Sequence, residues 1–138
     1  MVSLIKKFDL TDSVTFTGFL NANQMKDRYL KSNVFVSASV IENSPNSLGE
    51  AMLLGVPCVS SHVGGVHNML THGVEGYTYP ADEVHMLAYY ICKIFSDKEN
   101  VEKMANKARE HALYTHSPER NLHELMNIYR EVCDECLL

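Results

Sequence analysis

Four short apolar runs rich in β-branched residues, each followed by a stretch with helical spacing, constrain this chain more than any other feature. The runs are residues 14–17, 34–37, 56–60 and 76–79. They are nearly continuous rather than alternating, which is the pattern of strands buried on both faces. Helices are predicted over residues 23–32, with Met25, Tyr29 and Leu30 inward, and over 47–54, started by Pro45-Asn46 and stopped by Gly55. A short helix follows Gly64-Gly65. Residues 82–95 repeat apolar side chains at Val84, Leu87, Ala88, Ile91 and Phe95, with Tyr89 expected in the core and Tyr90 at the surface. Residues 97–113 do so at Val101, Met104, Ala105, Ala108 and Ala112. A last helix opens with Ser117 as N-cap and Pro118 at the first position. Its stripe is Leu122, Leu125, Met126, Tyr129 and Val132. Strands alternating with helices imply βαβ units, and hence a parallel sheet with helices on both faces.

At 138 residues, of which 46% are hydrophobic, the chain reads as one domain, 1–138, with enough apolar side chains for a core. The formal charge of −5 and the lack of a basic cluster argue against nucleic acid or an anionic membrane surface as partner. No apolar run approaches the ~20 residues that span a bilayer, and residues 1–10 lack the apolar core of a secretory signal. Cys58 and Cys92 lie in apolar runs and read as small core residues. Cys133 and Cys136 form a lone C-x-x-C, read as structural or incidental rather than as a metal or redox site. This cysteine usage fits a reducing cytoplasm.

Parallel sheets of this kind bind ligands beyond the C-terminal ends of their strands, near helix N-termini. The loop after the second run, Ser37-Ala38-Ser39-Val40-Ile41-Glu42-Asn43-Ser44-Pro45, leads to Asn46 as N-cap, then Ser47, Leu48, Gly49 and Glu50. A helix N-terminus with open N–H groups and its positive dipole end suits a phosphate. Gly49 permits close approach of a ligand or of neighbouring backbone. Glu42 and Glu50 frame the turn. Two readings stand for them: carboxylates accepting from vicinal sugar or ribose hydroxyls, or acids favoured by the helix dipole, with Glu50 in the first turn. Gly64-Gly65 supplies a second tight turn at the end of the next run. His62, His67 and His72 recur every five residues, a spacing that does not place all three on one helical face, so no metal site is assigned to them.

Glu42, Ser47-Leu48-Gly49-Glu50-Ala51-Met52, Gly55-Val56-Pro57-Cys58-Val59-Ser60 and Gly64-Gly65, in that order, resemble the donor domain of family 4 (group 1) glycosyltransferases. Val14-Thr15-Phe16-Thr17-Gly18-Phe19 resembles the family's strand and turn beside the nucleotide base, and Gly73-Val74-Glu75-Gly76-Tyr77 its later glycine-containing stretch. The likeness runs from Val14 to Ala112. It implies a Rossmann-like three-layer α/β/α domain with a mostly parallel sheet, the C-terminal half of a GT-B fold. It also implies retaining transfer of a sugar from a nucleotide-sugar donor, without a cofactor or metal, in polysaccharide or glycolipid synthesis. By match, Glu42 faces the donor sugar as the catalytic position and Glu50 holds the ribose. Asn46, Ser47, Leu48 and Gly49 adjoin the diphosphate or sugar, with Gly64 and Gly65 beside them, while Gly18, Phe19 and Leu20 line the base. Where the family carries proline and glutamate after the double glycine and one further residue, this chain has His67 and Asn68. The family's acceptor domain, and the part of the donor domain with its diphosphate-gripping arginine and lysine, have no counterpart in these residues. The expectation is therefore a fragment of a larger two-domain enzyme, inactive alone, cytoplasmic or peripheral to the membrane in full length. The exposed stripe of the last helix is expected to support a weak homodimer. The alternatives are a non-catalytic nucleotide-sugar-binding module and part of a nucleotide-sugar epimerase.

Overall fold

The computed structural model describes residues 2–135, and Cys136 of the C-x-x-C lies outside them. The element order is α1 (Val2–Lys7), α2 (Ala22–Leu30), β1 (Phe35–Ser37), α3 (Asn46–Leu53), β2 (Cys58–Ser61), α4 (Val66–Met69), β3 (Tyr77–Tyr79), α5 (Val84–Ser96), α6 (Lys98–Thr115) and α7 (Pro118–Glu135). The three strands form one parallel sheet in the order β1-β2-β3. Phe35 lies opposite Cys58, and Val59 opposite Tyr77. The α/β reading from periodicity is what folds.

Alternation along β2 divides the core. Cys58 points into a cluster with Tyr29, Leu48, Ala51, Met52, Val66, Leu70, Ala108 and Ala112. Val59, one residue on and on the opposite face, joins Tyr77, Tyr79, Ile94, Val101 and Met104. Both faces are thus covered by helices, giving three layers. α6 contributes to both clusters, and the five side chains expected inward on it are all buried. Full burial of Leu48 and Met52 contributes about 1.5–3 kcal/mol each.

Several local expectations are corrected. Residues 14–17 run without regular structure, and Val14 and Phe16 are exposed. Among the described residues no strand lies beside them, and a β-branched run has no ladder to join without a neighbour. On α2 only Tyr29 is buried; Met25 and Leu30 face out. Asn21 begins that helix through a reciprocal capping box with Gln24, which sets the start ahead of residue 23. On α5, Val84 and Phe95 are exposed while Ile94 is buried. Tyr90, not Tyr89, packs inward, because its ring stacks on Tyr77 with centroids 4.8 Å apart. Cys92 is exposed rather than in the core, whereas Cys58 is buried as expected.

Ser117 caps α7 as expected, its hydroxyl accepting from the Arg120 N–H at 3.3 Å. The whole apolar stripe of that helix, Leu122 to Val132, is exposed. No helix among the described residues is long and apolar enough to cross a membrane.

Candidate functional site

The loops leaving the C-terminal ends of β1 and β2 are tied together before any ligand is considered. The Ser61 hydroxyl donates to the Ser39 carbonyl at 2.6 Å, and the Gly65 N–H donates to the Asn43 carbonyl at 2.6 Å. Gly64 has φ +51°, and a Cβ there would overlap the Glu42 carbonyl oxygen; one at Gly65 would overlap that of Asn43. The double glycine therefore exists to let two backbones touch. β3 joins the same end, since the Tyr79 hydroxyl donates to the Ser37 carbonyl at 3.2 Å and the His62 N–H to the Tyr79 carbonyl at 2.7 Å. Burial pushes the Tyr79 phenol above its ordinary pKa.

Glu42 sits half-buried on this platform, accepting from the Ser39 hydroxyl at 2.8 Å. Four residues later α3 begins. Asn46 is its first residue rather than its cap; Pro45 occupies the cap position, and no side chain caps the helix. A proline ahead of the helix supplies a carbonyl, and the N–H groups of Leu48 and Gly49 both donate to it, at 3.1 and 3.3 Å. The N–H groups of Asn46 and Ser47 come before any intrahelical acceptor and remain open to a ligand. Leu48 has its side chain wholly buried, so only its backbone lies near the turn. Gly49 is also buried, and its missing side chain makes room for the His116 imidazole and the Met69 methyl.

Glu50 is the fifth residue of α3, one position further in than expected, and the first turn holds no acid. The helix dipole therefore accounts poorly for it, because that effect fades within the first turn. Instead Glu50 lines a cleft of about 240 Å³ with Ala22, Lys26, Tyr29, Leu53 and Leu54. The Tyr29 hydroxyl donates to the Ser47 carbonyl at 3.2 Å. Burial first, then the negative charge of the nearby Glu50 carboxylate, push the Tyr29 phenol up. Leu20 lines a neighbouring cleft with Gln24, Asp27, Arg28 and Lys31. Gly18 turns the chain at φ +63°, and the Phe19 ring is 96% exposed. The structure thus brings Glu42, the α3 start and Gly64-Gly65 to one sheet end, with Glu50 on the α2-facing side. It leaves Gly18 and Phe19 outside both clefts.

Ser39, Ser61, Lys26 and Tyr29 escaped the reading by motif. Lys26 and Tyr29 share a face of α2 at i, i+3, which is the one signal that could have found them. A cavity of about 520 Å³ is lined by Asn33, Pro57, Ile94, Lys98 and Val101 among others, and holds none of the site residues. It opens where chain enters β1 and β2, away from the ligand end of the sheet. Among the described residues no three His, Cys, Asp or Glu side chains cluster in a way that could hold a metal.

Residues 1–111 match the family model described as glycosyl transferases group 1. An uncharacterized glycosyltransferase of Methanocaldococcus jannaschii is 31% identical over 118 residues, 85% of this chain and 30% of that protein. Sucrose-phosphate synthase from Thermosynechococcus elongatus superposes with a TM-score of 0.87 at 25% identity, over 97% of this chain and 34% of the other. The Anabaena protein HepE, solved in complex with UDP-glucose, superposes with a TM-score of 0.77 at 25% identity, over 82% of this chain and 31% of the other. The chain spans about a third of the length of these proteins.

Proposed function

Because the chain belongs to the group 1 glycosyl transferase family, we propose that it is the donor-binding domain of a retaining, family 4 enzyme that moves a sugar from a nucleotide-sugar onto an acceptor. The observation that carries this is the arrangement around α3. A Ser39-held carboxylate stands before an uncapped helix start, and a second carboxylate stands in a separate cleft behind it. In this reading the Asn46 and Ser47 N–H groups receive the diphosphate. Glu42 accepts from hydroxyls of the sugar, and Glu50, beside Tyr29 and Lys26, accepts from those of the ribose. The segment Gly18-Phe19-Leu20 borders the base. The protein's share of the chemistry is orientation and stabilisation of the departing diphosphate.

The whole enzyme also needs an acceptor-binding domain, so these 138 residues alone bind donor without turning it over. The substrate class is a nucleoside diphosphate sugar used in polysaccharide or glycolipid synthesis, in the cytoplasm or at the membrane periphery. No metal is part of the reading.

Calorimetry on Glu42→Gln and Glu50→Gln in a chelating buffer, against a nucleoside diphosphate and its sugar ester, tests it. Hydrogen bonds to a charged group contribute about 1.5–3 kcal/mol, or roughly tenfold to a hundredfold in affinity. Glu50→Gln should weaken both ligands by that factor, and Glu42→Gln only the sugar ester. Equal effects of the two substitutions on the two ligands would refute the division of roles.

A further inference from the structure

The ligand end of the sheet is poor in positive charge. The segments leaving the strands, Ala38 to Pro45, His62 to Gly65 and Pro80 to Glu83, contain no lysine or arginine. They contain Glu42, Asp82 and Glu83. The groups there that can become cationic are imidazoles. His85 is already taken up by Glu83 at 3.0 Å. His116 is held at the end of α6, its Nδ1 2.9 Å from the Thr115 hydroxyl and 3.2 Å from the Ala112 carbonyl. His62 and His67 remain, both exposed, on either side of the Gly64-Gly65 turn, with ring centroids 6.1 Å apart.

His67 is positioned rather than loose. Its Nδ1 lies 2.9 Å from the Gly64 carbonyl. A carbonyl only accepts, so Nδ1 carries a proton and Nε2 is the atom left for a ligand. Protonation of Nε2 turns it into a second donor with a full positive charge. His62 continues the sheet ladder through its backbone, which places its ring beside the same turn. That turn in turn rests on the Glu42–Asn43 backbone, so the glycines between the two imidazoles are in contact with the loop that carries Glu42.

We infer that His67, with His62 beside it, is a binding residue for the diphosphate of the donor, and that its charge makes donor binding depend on pH. The inference rests on the donor-domain reading. Imidazoles change charge between about pH 5 and 8, whereas the diphosphate of a nucleotide-sugar is a diester whose charge is constant across that range. Affinity should therefore rise as the pH falls.

UDP-glucose is the probe, titrated into the 138-residue chain at about pH 5.5 and about pH 8. The wild-type chain should bind roughly five- to tenfold more tightly at the lower pH. His67→Asn keeps a donor for the Gly64 carbonyl and removes Nε2, so it should flatten the pH profile and match the wild-type affinity at high pH. His67→Gln, which offers a neutral donor near Nε2, should also lose the pH dependence. A circular dichroism melt on each variant reports folding independently, and the His62→Asn chain serves as a second carrier of the same test. A pH-independent affinity that neither variant changes would overturn the inference while leaving the donor reading in place. Failure of UDP-glucose, and then of GDP-mannose and ADP-glucose, to bind at either pH would overturn both.

Discussion

Replacing Gly64 with alanine puts a methyl group where the Glu42 carbonyl now sits, and the size of the loss can be worked from three glycines. Gly64 combines a left-handed backbone, φ +51°, with a backbone obstruction. Gly73 has φ +75° and nothing within 4 Å of an added Cβ, so it carries conformational strain alone. Gly65 has φ −81° and an obstruction from the Asn43 carbonyl, so it carries crowding alone. A left-handed non-glycine residue costs about 1–2 kcal/mol, and forcing an extra methyl into packed surroundings about 1–3 kcal/mol. Gly73→Ala should thus lose about 1–2 kcal/mol, Gly65→Ala about 1–3 kcal/mol, and Gly64→Ala roughly their sum, about 2–5 kcal/mol. Urea denaturation followed by circular dichroism measures all three. With m of about 2 kcal/mol per molar, the Gly64→Ala midpoint should fall below that of Gly73→Ala by roughly 0.5–1.5 M. Equal midpoints for Gly64→Ala and Gly73→Ala would mean that the two loops do not press on each other, and the account of the double glycine would be wrong.

Burial pushes the Cys58 thiol up to about 12, so in the native chain a thiol reagent at neutral pH should label the exposed Cys92 and spare Cys58; mass spectrometry showing equal labelling would contradict the buried placement. Burial alone would raise the Glu75 carboxyl, but the Thr71 N–H at 2.8 Å, the Thr71 hydroxyl and His111 at 3.0 Å outweigh it and hold it below its ordinary value. The His111 contact has the distance of an ion pair without the alignment of a hydrogen bond. A depressed carboxyl adds stability above its unfolded pKa, and that contribution disappears as pH falls through the folded value. Glu75→Gln should therefore destabilise the chain at neutral pH, and the difference should shrink as the pH falls through and below the ordinary carboxylate range, an outcome that melts across that range can refute. The exposed α7 stripe should give weak, concentration-dependent self-association, lost in Leu125→Glu; sedimentation showing a monomer at every concentration would exclude it.

Strongly periodic segments were legible in the sequence and single positions were not. α6 is amphipathic over its whole length, so its five inward residues follow from spacing. α5 is apolar nearly all round, and spacing alone cannot choose between Tyr89 and Tyr90; the stacking on Tyr77, a contact with another element, decides it. Residues 14–17 have the composition of a strand, but a strand requires a neighbour, and pairing is not a local property. Around the site, the helix start and the two glutamates were visible as a motif. The packing of His116 against Gly49 and the cleft beside Glu50 arise from residues distant in sequence, and the hydrogen bond from Ser39 to Glu42, three residues on, depends on the shape of the loop that joins them. Asn46 was misplaced as the cap because side-chain preference favours Asn there, while the chain uses the Pro45 carbonyl instead.

Beyond the Ser61 hydroxyl that holds Ser39, the seam between the two loops is built from main-chain atoms and glycines: the Glu42 and Asn43 carbonyls on one side, the Gly64-Gly65 backbone on the other. The Asn43 and Ser44 side chains are exposed, and the one hydrogen bond across it that they make among the described residues, from the Ser44 hydroxyl to the Met69 sulfur at 3.4 Å, lies beside the seam rather than in it. Sequence drift at these two positions leaves the junction intact, so the rim of the site can change its chemical character without refolding the platform beneath. The glycines themselves have no such freedom. A lineage diversifying its ligand would then accumulate substitutions on the rim while the seam stays constant, and a library randomised at positions 43 and 44 should return mostly folded chains.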